Sequence, residues 1–171
     1  MQISVVIPTY NRPHDLNKCL DSIIVQTKLP KEVMVVDNGN NPDTVELVEK
    51  RKREFEAKGV ILKYMKNERE NSITIAKNIG IDHSTGDIIS FLDDDLVLDR
   101  KYYEEIIKVY RKMLNALGVE GYDQEVKEDE RLLVRFRESL LKPLYLFSSA
   151  KEKGKCRVLP SLGITLSLIH I

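Results

Sequence analysis

The chain has 171 residues, long enough for one domain with a buried core. Hydrophobic residues make up 42% and charged residues 32%, which excludes a disordered chain. Lys plus Arg and Asp plus Glu are both 27, so the net charge is zero and the basic excess of a nucleic-acid binder is missing.

Two cysteines, Cys19 and Cys156, have neither metal-ligand spacing nor the density of a disulfide scaffold. Cys19 falls on the apolar stripe of a predicted helix and reads as a buried free thiol. Residues Met1 to Thr9 lack the basic segment and long apolar core of a signal peptide. No stretch approaches the roughly 20 apolar residues of a spanning helix. A cytoplasmic setting is the expectation, with attachment to a membrane surface as its variant.

Two hydrophobic periodicities alternate over the first hundred residues. Ile3 to Ile7 is a short β-branched run that reads as a buried strand ended by Pro8. Pro13 suits a first helical turn, and Leu16, Cys19, Leu20, Ile23 and Ile24 recur at helical spacing up to Gln26. Val33 to Val36 is a second strand, closed by the turn signal Asp37-Asn38-Gly39-Asn40. A charged helix from Asp43 to Lys58 is stopped by Gly59. Val60 to Met65 reads as a third strand, Ser72 to His83 as a helix and Ile88 to Leu92 as a fourth strand. Asp99 is the expected cap of a helix from Arg100 to about Leu117. Strands separated by helices predict right-handed crossovers, hence an α/β fold: a mostly parallel, Rossmann-like sheet with helices on both faces. Residues 1–117 form this domain, 118–155 a helical excursion from it, and 156–171 the start of a further part.

In such sheets ligands bind outside the carboxyl ends of the strands, where the strand order switches. The polar groups that follow the strands are Thr9-Tyr10-Asn11-Arg12, Asp37-Asn38-Gly39 and Asp93-Asp94-Asp95, and all three open onto one rim. Adjacent carboxylates repel one another and call for a cation. Hard oxygen ligands suit Mg²⁺ or Mn²⁺, with phosphate oxygens and water completing the shell. The rival reading is a solvated acidic loop. Asp37 is either the residue that opens an Asx-turn or a carboxylate facing a nucleobase edge, which Pro8 to Arg12 could wrap. No G-x-x-x-x-G-K-[ST], no G-x-G-x-x-G after the first strand and no G-x-S-x-G is present, and His14, His83 and His170 lack metal spacing.

Four segments taken in order, Ile3 to Arg12, Val35 to Gly39, Ala76 to Gly80 and Gly86 to Asp95, closely resemble the family 2 glycosyltransferases. The resemblance implies the glycosyltransferase A-type fold, a nucleoside-diphosphate-sugar donor (UDP on family grounds), Mn²⁺ or Mg²⁺, and usually inversion at the anomeric carbon. By position it puts Thr9 and Asp37 on the base, Asp93 near the ribose or the metal, and Asp95 on the metal. Pro8, Tyr10, Asn11, Arg12, Asn38, Lys77 and Asp94 complete the expected donor site. Two departures stand out: Lys77 replaces the common Arg, offering a point charge in place of a fork, and Ser72 replaces a frequent Gly.

The closing residues resemble a family strand cut short, and no catalytic base is assigned. Asp123, Asp129 and nearby Glu residues read as a solvated face. A carbohydrate or lipid-linked acceptor is the implied partner. Leu132, Leu133, Phe136, Leu140 and Leu141, flanked by Arg131, Arg135, Arg137 and Lys142, form a stripe. It either packs on the domain or serves a membrane surface or homodimer. Two other functions stay open: a module that holds nucleotide without transfer, and a nucleotidyltransferase. The second normally has a Gly-rich basic loop where this chain has Pro8-Thr9-Tyr10-Asn11.

Overall fold

A computed structural model describes residues 1–112, 118–119 and the backbone of 168–170. The elements are β1 (Ile3–Thr9), α1 (Pro13–Ile24), β2 (Glu32–Asp37), α2 (Pro42–Ala57), β3 (Ile61–Lys66), α3 (Ile73–His83), β4 (Ile88–Phe91), α4 (Tyr102–Lys112) and β5 (Leu168–His170). The sheet order is β3-β2-β1-β4-β5. The first four strands are mutually parallel, and β5 pairs antiparallel with β4, Ile89 facing Ile169. Residues 168–170 thus pair in this sheet. The charged segment 120–137, the apolar stripe and Cys156 lie outside the described residues. Among the described residues no helix is long and apolar enough to cross a membrane.

Strand alternation sorts the core into two layers. Ile3, Val5, Ile7, Val33 and Val35 face α1, α2 and α4, burying Leu16, Leu20, Ile23, Val48, Phe55 and Tyr103. Val6, Met34, Val36, Ile89 and Phe91 face α3 through Ala76 and Ile81. Each fully buried aliphatic side chain here is worth about 1.5–3 kcal/mol over its exposed state. The distribution follows from handedness. The chain moves outward from β1 to β3 with α1 and α2 on one face, then returns past β2 and β1 to β4, so right-handed α3 must cross the opposite face. Close approach there needs Gly80, since a Cβ on it would stand 2.2 Å from Val6 Cγ1.

Several boundaries differ from the sequence expectation, each for a local reason. β1 continues through Pro8 to Thr9, because Pro8, like Val6, turns its backbone polar groups toward β4, whose ladder has stopped at Val6, so the missing N–H costs no bond while pairing with β2 goes on. α1 ends at Ile24, short of Gln26. Gln26 is buried and links two elements: Nε2 donates to Ser22 O (3.1 Å) and Asp99 O (2.6 Å), while Oε1 accepts from Tyr103 N (3.3 Å). Consequently α4 starts at Tyr102 rather than Arg100, with Asp99 Oδ1 closing a turn on Lys101 N (2.8 Å). α2 is capped by Asn41 Oδ1, which accepts from Asp43 N (3.0 Å), and ends before Gly59 at φ +75°.

At the amino-terminal edge of the sheet, Glu32 is 1% exposed. Its carboxylate accepts from Ser4 Oγ (2.7 Å), Lys63 Nζ (2.7 Å), Thr85 N (2.7 Å) and Thr85 Oγ1 (2.8 Å). One buried anion therefore ties β1, β2 and β3 to the turn before β4, at the end opposite the polar rim.

Candidate nucleotide site

β1 lies between β2 and β4, so strand order switches there, and past Val6 the ends of β1 and β4 part. The crevice is an open cleft of about 320 Å³, within the usual size of a small-molecule site. From the end of β1 and the loop after it come Pro8, Thr9, Tyr10 and Arg12; from the turn after β2, Asn38; after β4, Asp93, Asp94 and Asp95. The opposite wall is Asn71 and Ile73, at the entry to α3, which the sequence reading did not single out. Of the expected donor-site residues, Asn11, Asp37 and Lys77 are not on the lining.

The triplet is not three equivalent carboxylates. Asp94 is turned inward: Oδ2 accepts from Thr9 Oγ1 (2.7 Å), with Thr9 2% and Asp94 6% exposed. Burial raises the Asp94 carboxyl above its ordinary value, and the Thr9 hydroxyl and Arg12 pull it back. Asp93 is half-buried at the cleft, and its carbonyl accepts a long bond from Cys19 Sγ (3.8 Å). Cys19 is the expected buried free thiol, pushed up to about 12 by burial and then by the three carboxylates. Asp95 is exposed and stands 3.3 Å from Arg12 Nη1.

Lys77 is 7% exposed, with Nζ 5.5 Å from the Phe91 ring centroid. Burial lowers its ammonium, and the Asp93 charge offsets part of that.

Asp37, 1% exposed, has both oxygens engaged: Oδ1 accepts from Gly39 N (2.7 Å) and Oδ2 from Tyr64 OH (2.8 Å), with Lys66 Nζ at 3.8 Å. The Asx-turn reading of this residue therefore describes its local geometry. Burial and then the bond to Asp37 push the Tyr64 phenol well above its ordinary value. Asn11 is a loop clamp at φ 56°, where its Oδ1 accepts from Asn40 N (2.9 Å) and Asn41 N (3.0 Å). Gly39 is required by this clamp, since a Cβ would stand 2.2 Å from Asn11 Oδ1 and 2.8 Å from Asn11 N. Asn67, 5% exposed, donates from Nδ2 to Asn38 Oδ1 (2.7 Å) and Glu70 O (3.0 Å), lacing the two walls together.

The donor set suits one kind of ion. Among the described residues no group of three or more His, Cys, Asp or Glu side chains could hold a metal. Two hard carboxylates, Asp93 and Asp95, remain at the cleft. That set fits Mg²⁺ or Mn²⁺ completed by phosphate oxygens and water, and does not fit a closed all-protein cage.

A mostly parallel α/β sheet with this rim at its strand switch has the glycosyltransferase A-type fold. The chain belongs to glycosyl transferase family 2, whose family model matches residues 4–159. Glycosyltransferase GlyA of Streptococcus pneumoniae serotype 4 is 32% identical over 122 residues, covering 71% of this chain and 17% of that protein. Glycosyltransferase AglE of Haloferax volcanii is 35% identical over 104 residues, covering 60% of this chain and 33% of that one. The chain thus matches a third or less of the length of these relatives. Among solved structures, S. aureus TarS 1–349 in complex with UDP-GlcNAc aligns with TM-score 0.59 at 22% identity, covering 74% of this chain and 37% of that one. The mannosyltransferase PcManGT of Pyrobaculum calidifontis, in complex with GDP-Man and Mn²⁺, aligns with TM-score 0.55 at 24% identity, covering 69% and 33%. At such identities the likeness concerns the fold.

Proposed function

We propose that this domain is the donor-binding part of a metal-dependent glycosyltransferase that moves a sugar from a nucleoside-diphosphate sugar, UDP-linked, to an acceptor hydroxyl with inversion. The observation that carries the reading is the Thr9–Asp94 hydrogen bond at the strand switch. It pins the middle carboxylate to β1 and leaves Asp93 and Asp95 beside the cleft. These two would hold Mn²⁺ or Mg²⁺. When bound, the ion neutralises charge on the diphosphate leaving group.

The chain's own residues do the positioning. Tyr10, 52% exposed on the cleft wall, offers a ring face to a nucleobase, and Ile73, 53% exposed, offers an apolar surface opposite. Asp37, 1% exposed and off the cleft lining, would meet the base edge once the Tyr64 hydroxyl gives way. Asn38 and Asn71 supply polar contacts on the side walls. In the transfer itself, the acceptor oxygen forms a bond to the anomeric carbon as the bond to the diphosphate oxygen breaks. The acceptor proton passes to a base that none of the residues described here is assigned to be.

A thermal-shift panel of nucleoside diphosphates, with and without Mn²⁺, tests the reading. UDP with Mn²⁺ should stabilise the chain by about 2.7 kcal/mol at 100 times its dissociation constant. Asp95→Ala should abolish this Mn²⁺-dependent gain while leaving the unliganded melting curve unchanged. Equal UDP affinity in mutant and parent would remove the metal reading. Release of UDP from a UDP-sugar, rather than pyrophosphate from a nucleotide, separates transfer from nucleotidyl chemistry.

A further inference from the structure

Arg12 is the cation among the residues lining the cleft, and it sits against the triplet. Its Nη1 stands 3.3 Å from Asp95 Oδ2 and 3.6 Å from Asp94 Oδ1. Lys77, the other cation near these carboxylates, is 7% exposed and stacked over Phe91, so it cannot swing away. Arg12 can. Its side chain is 56% exposed, and at the head of α1 it makes no side-chain cap bond.

We propose that Arg12 is the resident counter-cation of the triplet, and that it couples divalent-cation binding to diphosphate binding. The inference rests on the donor-site reading given above. A Mg²⁺ or Mn²⁺ ion held on Asp95 Oδ2 would take the place of the guanidinium nitrogen now 3.3 Å from it. Two positive groups at such range repel strongly. Cation entry therefore displaces Arg12 from Asp95, and the free ion binds less tightly than the carboxylates alone would allow. The displaced guanidinium stays tethered at the cleft wall, with a fork of N–H donors that matches two phosphate oxygens. A diphosphate arriving with the cation gives it a new partner. Metal and diphosphate then bind better together than apart, through one side chain that changes hands.

This predicts opposite effects of one substitution. In the full 171-residue chain, Arg12→Gln should tighten Mn²⁺ binding without nucleotide by about two- to fivefold, the range expected for loss of one exposed ion pair. The same variant should weaken UDP binding at saturating Mn²⁺ by about ten- to a hundredfold, as for loss of a charge-assisted contact. Arg12→Lys keeps the charge and should leave Mn²⁺ affinity near the parent value while still weakening UDP. Mn²⁺ affinity is read from the electron paramagnetic resonance of the free ion, and UDP affinity by calorimetry. Unchanged or weaker Mn²⁺ binding in Arg12→Gln overturns the proposal, since the ion then shares the triplet with Arg12 in place. Equal tightening in Arg12→Gln and Arg12→Lys also overturns it, because charge is then not the cause. Tightened Mn²⁺ with unaltered UDP affinity removes the coupling. Failure of the donor-site reading looks different: UDP binding in the parent would then show no dependence on Mn²⁺ or on Asp95.

Discussion

Replacing Thr9 by valine tests the joint on which the cleft depends. The two side chains are nearly equal in volume, so the change removes a hydroxyl donor and little else. That donor makes a 2.7 Å bond to Asp94 Oδ2 between groups 2% and 6% exposed. A hydrogen bond to a charged acceptor is worth about 1.5–3 kcal/mol. Asp94 would keep the Tyr10 backbone N–H and the Arg12 guanidinium at 3.6 Å, so a loss of about 2 kcal/mol at pH 7 is expected. Burial already raises the Asp94 carboxyl above its ordinary 3.8, and losing the hydroxyl raises it further. A carboxyl raised by folding favours the folded state fully below its unfolded value, and that contribution is lost as pH rises through the folded value. The gap between Thr9→Val and parent is therefore widest at neutral pH and narrows toward 3.8. Urea unfolding followed by circular dichroism, at pH 7 and about 4.5, reads both quantities. A gap under about 0.5 kcal/mol at pH 7, the size of an ordinary surface substitution, or one that does not narrow in acid, would refute the reasoning.

Other expectations concern the rim and its far side. Burial works against the Glu32 charge, yet Lys63, Ser4 and Thr85 hold its carboxyl near 2 against an ordinary 4.5. Its stabilising contribution is present above 4.5 and lost as pH falls through about 2. Glu32→Gln should therefore cost about 3 kcal/mol at neutral pH by urea unfolding, with undiminished UDP affinity in the folded protein. Gly39→Ala should force the Asn11 clamp aside, costing about 1–3 kcal/mol in stability and weakening UDP binding. Unchanged melting and affinity would mean that the turn yields freely. Asp37→Ala should weaken uridine and UDP alike in calorimetry, because the lost contact is to the base; loss for UDP alone would assign the carboxylate to the phosphate region.

Most of the fold could be read from the sequence because each strand is a short apolar run followed by a polar turn, and each helix has its own stripe. The rim could be read for the same reason, since a parallel sheet places every post-strand cluster on one side. The same rule holds after β3. Asn67 to Asn71 follows β3 just as Asp37 to Gly39 follows β2, and it supplies Asn71 to the cleft and Asn67 to the joint between walls. Tyr64 was less accessible, because its hydroxyl meets Asp37 only through the Val35–Tyr64 register of two strands. The early end of α1 and late start of α4 depend on Gln26 reaching across 73 residues to Asp99. No local pattern encodes such a bond.

The different states of the three adjacent aspartates follow from the sheet rather than from the triplet itself. A run of like charges in a solvated loop would spread to lower repulsion, each carboxylate equally wet. Here β4 ends beside β1, so the second residue after Leu92 lands on the Thr9 hydroxyl and is drawn inward. Its neighbours are left to either side of that anchor, Asp93 toward buried Lys77 and Asp95 toward exposed Arg12. One carboxylate thus has a fixed cation nearby and the other an exchangeable one. A divalent ion competes only with the exchangeable partner, which is why the Asp95 side, and not the Asp93 side, should control how tightly the metal is held without nucleotide.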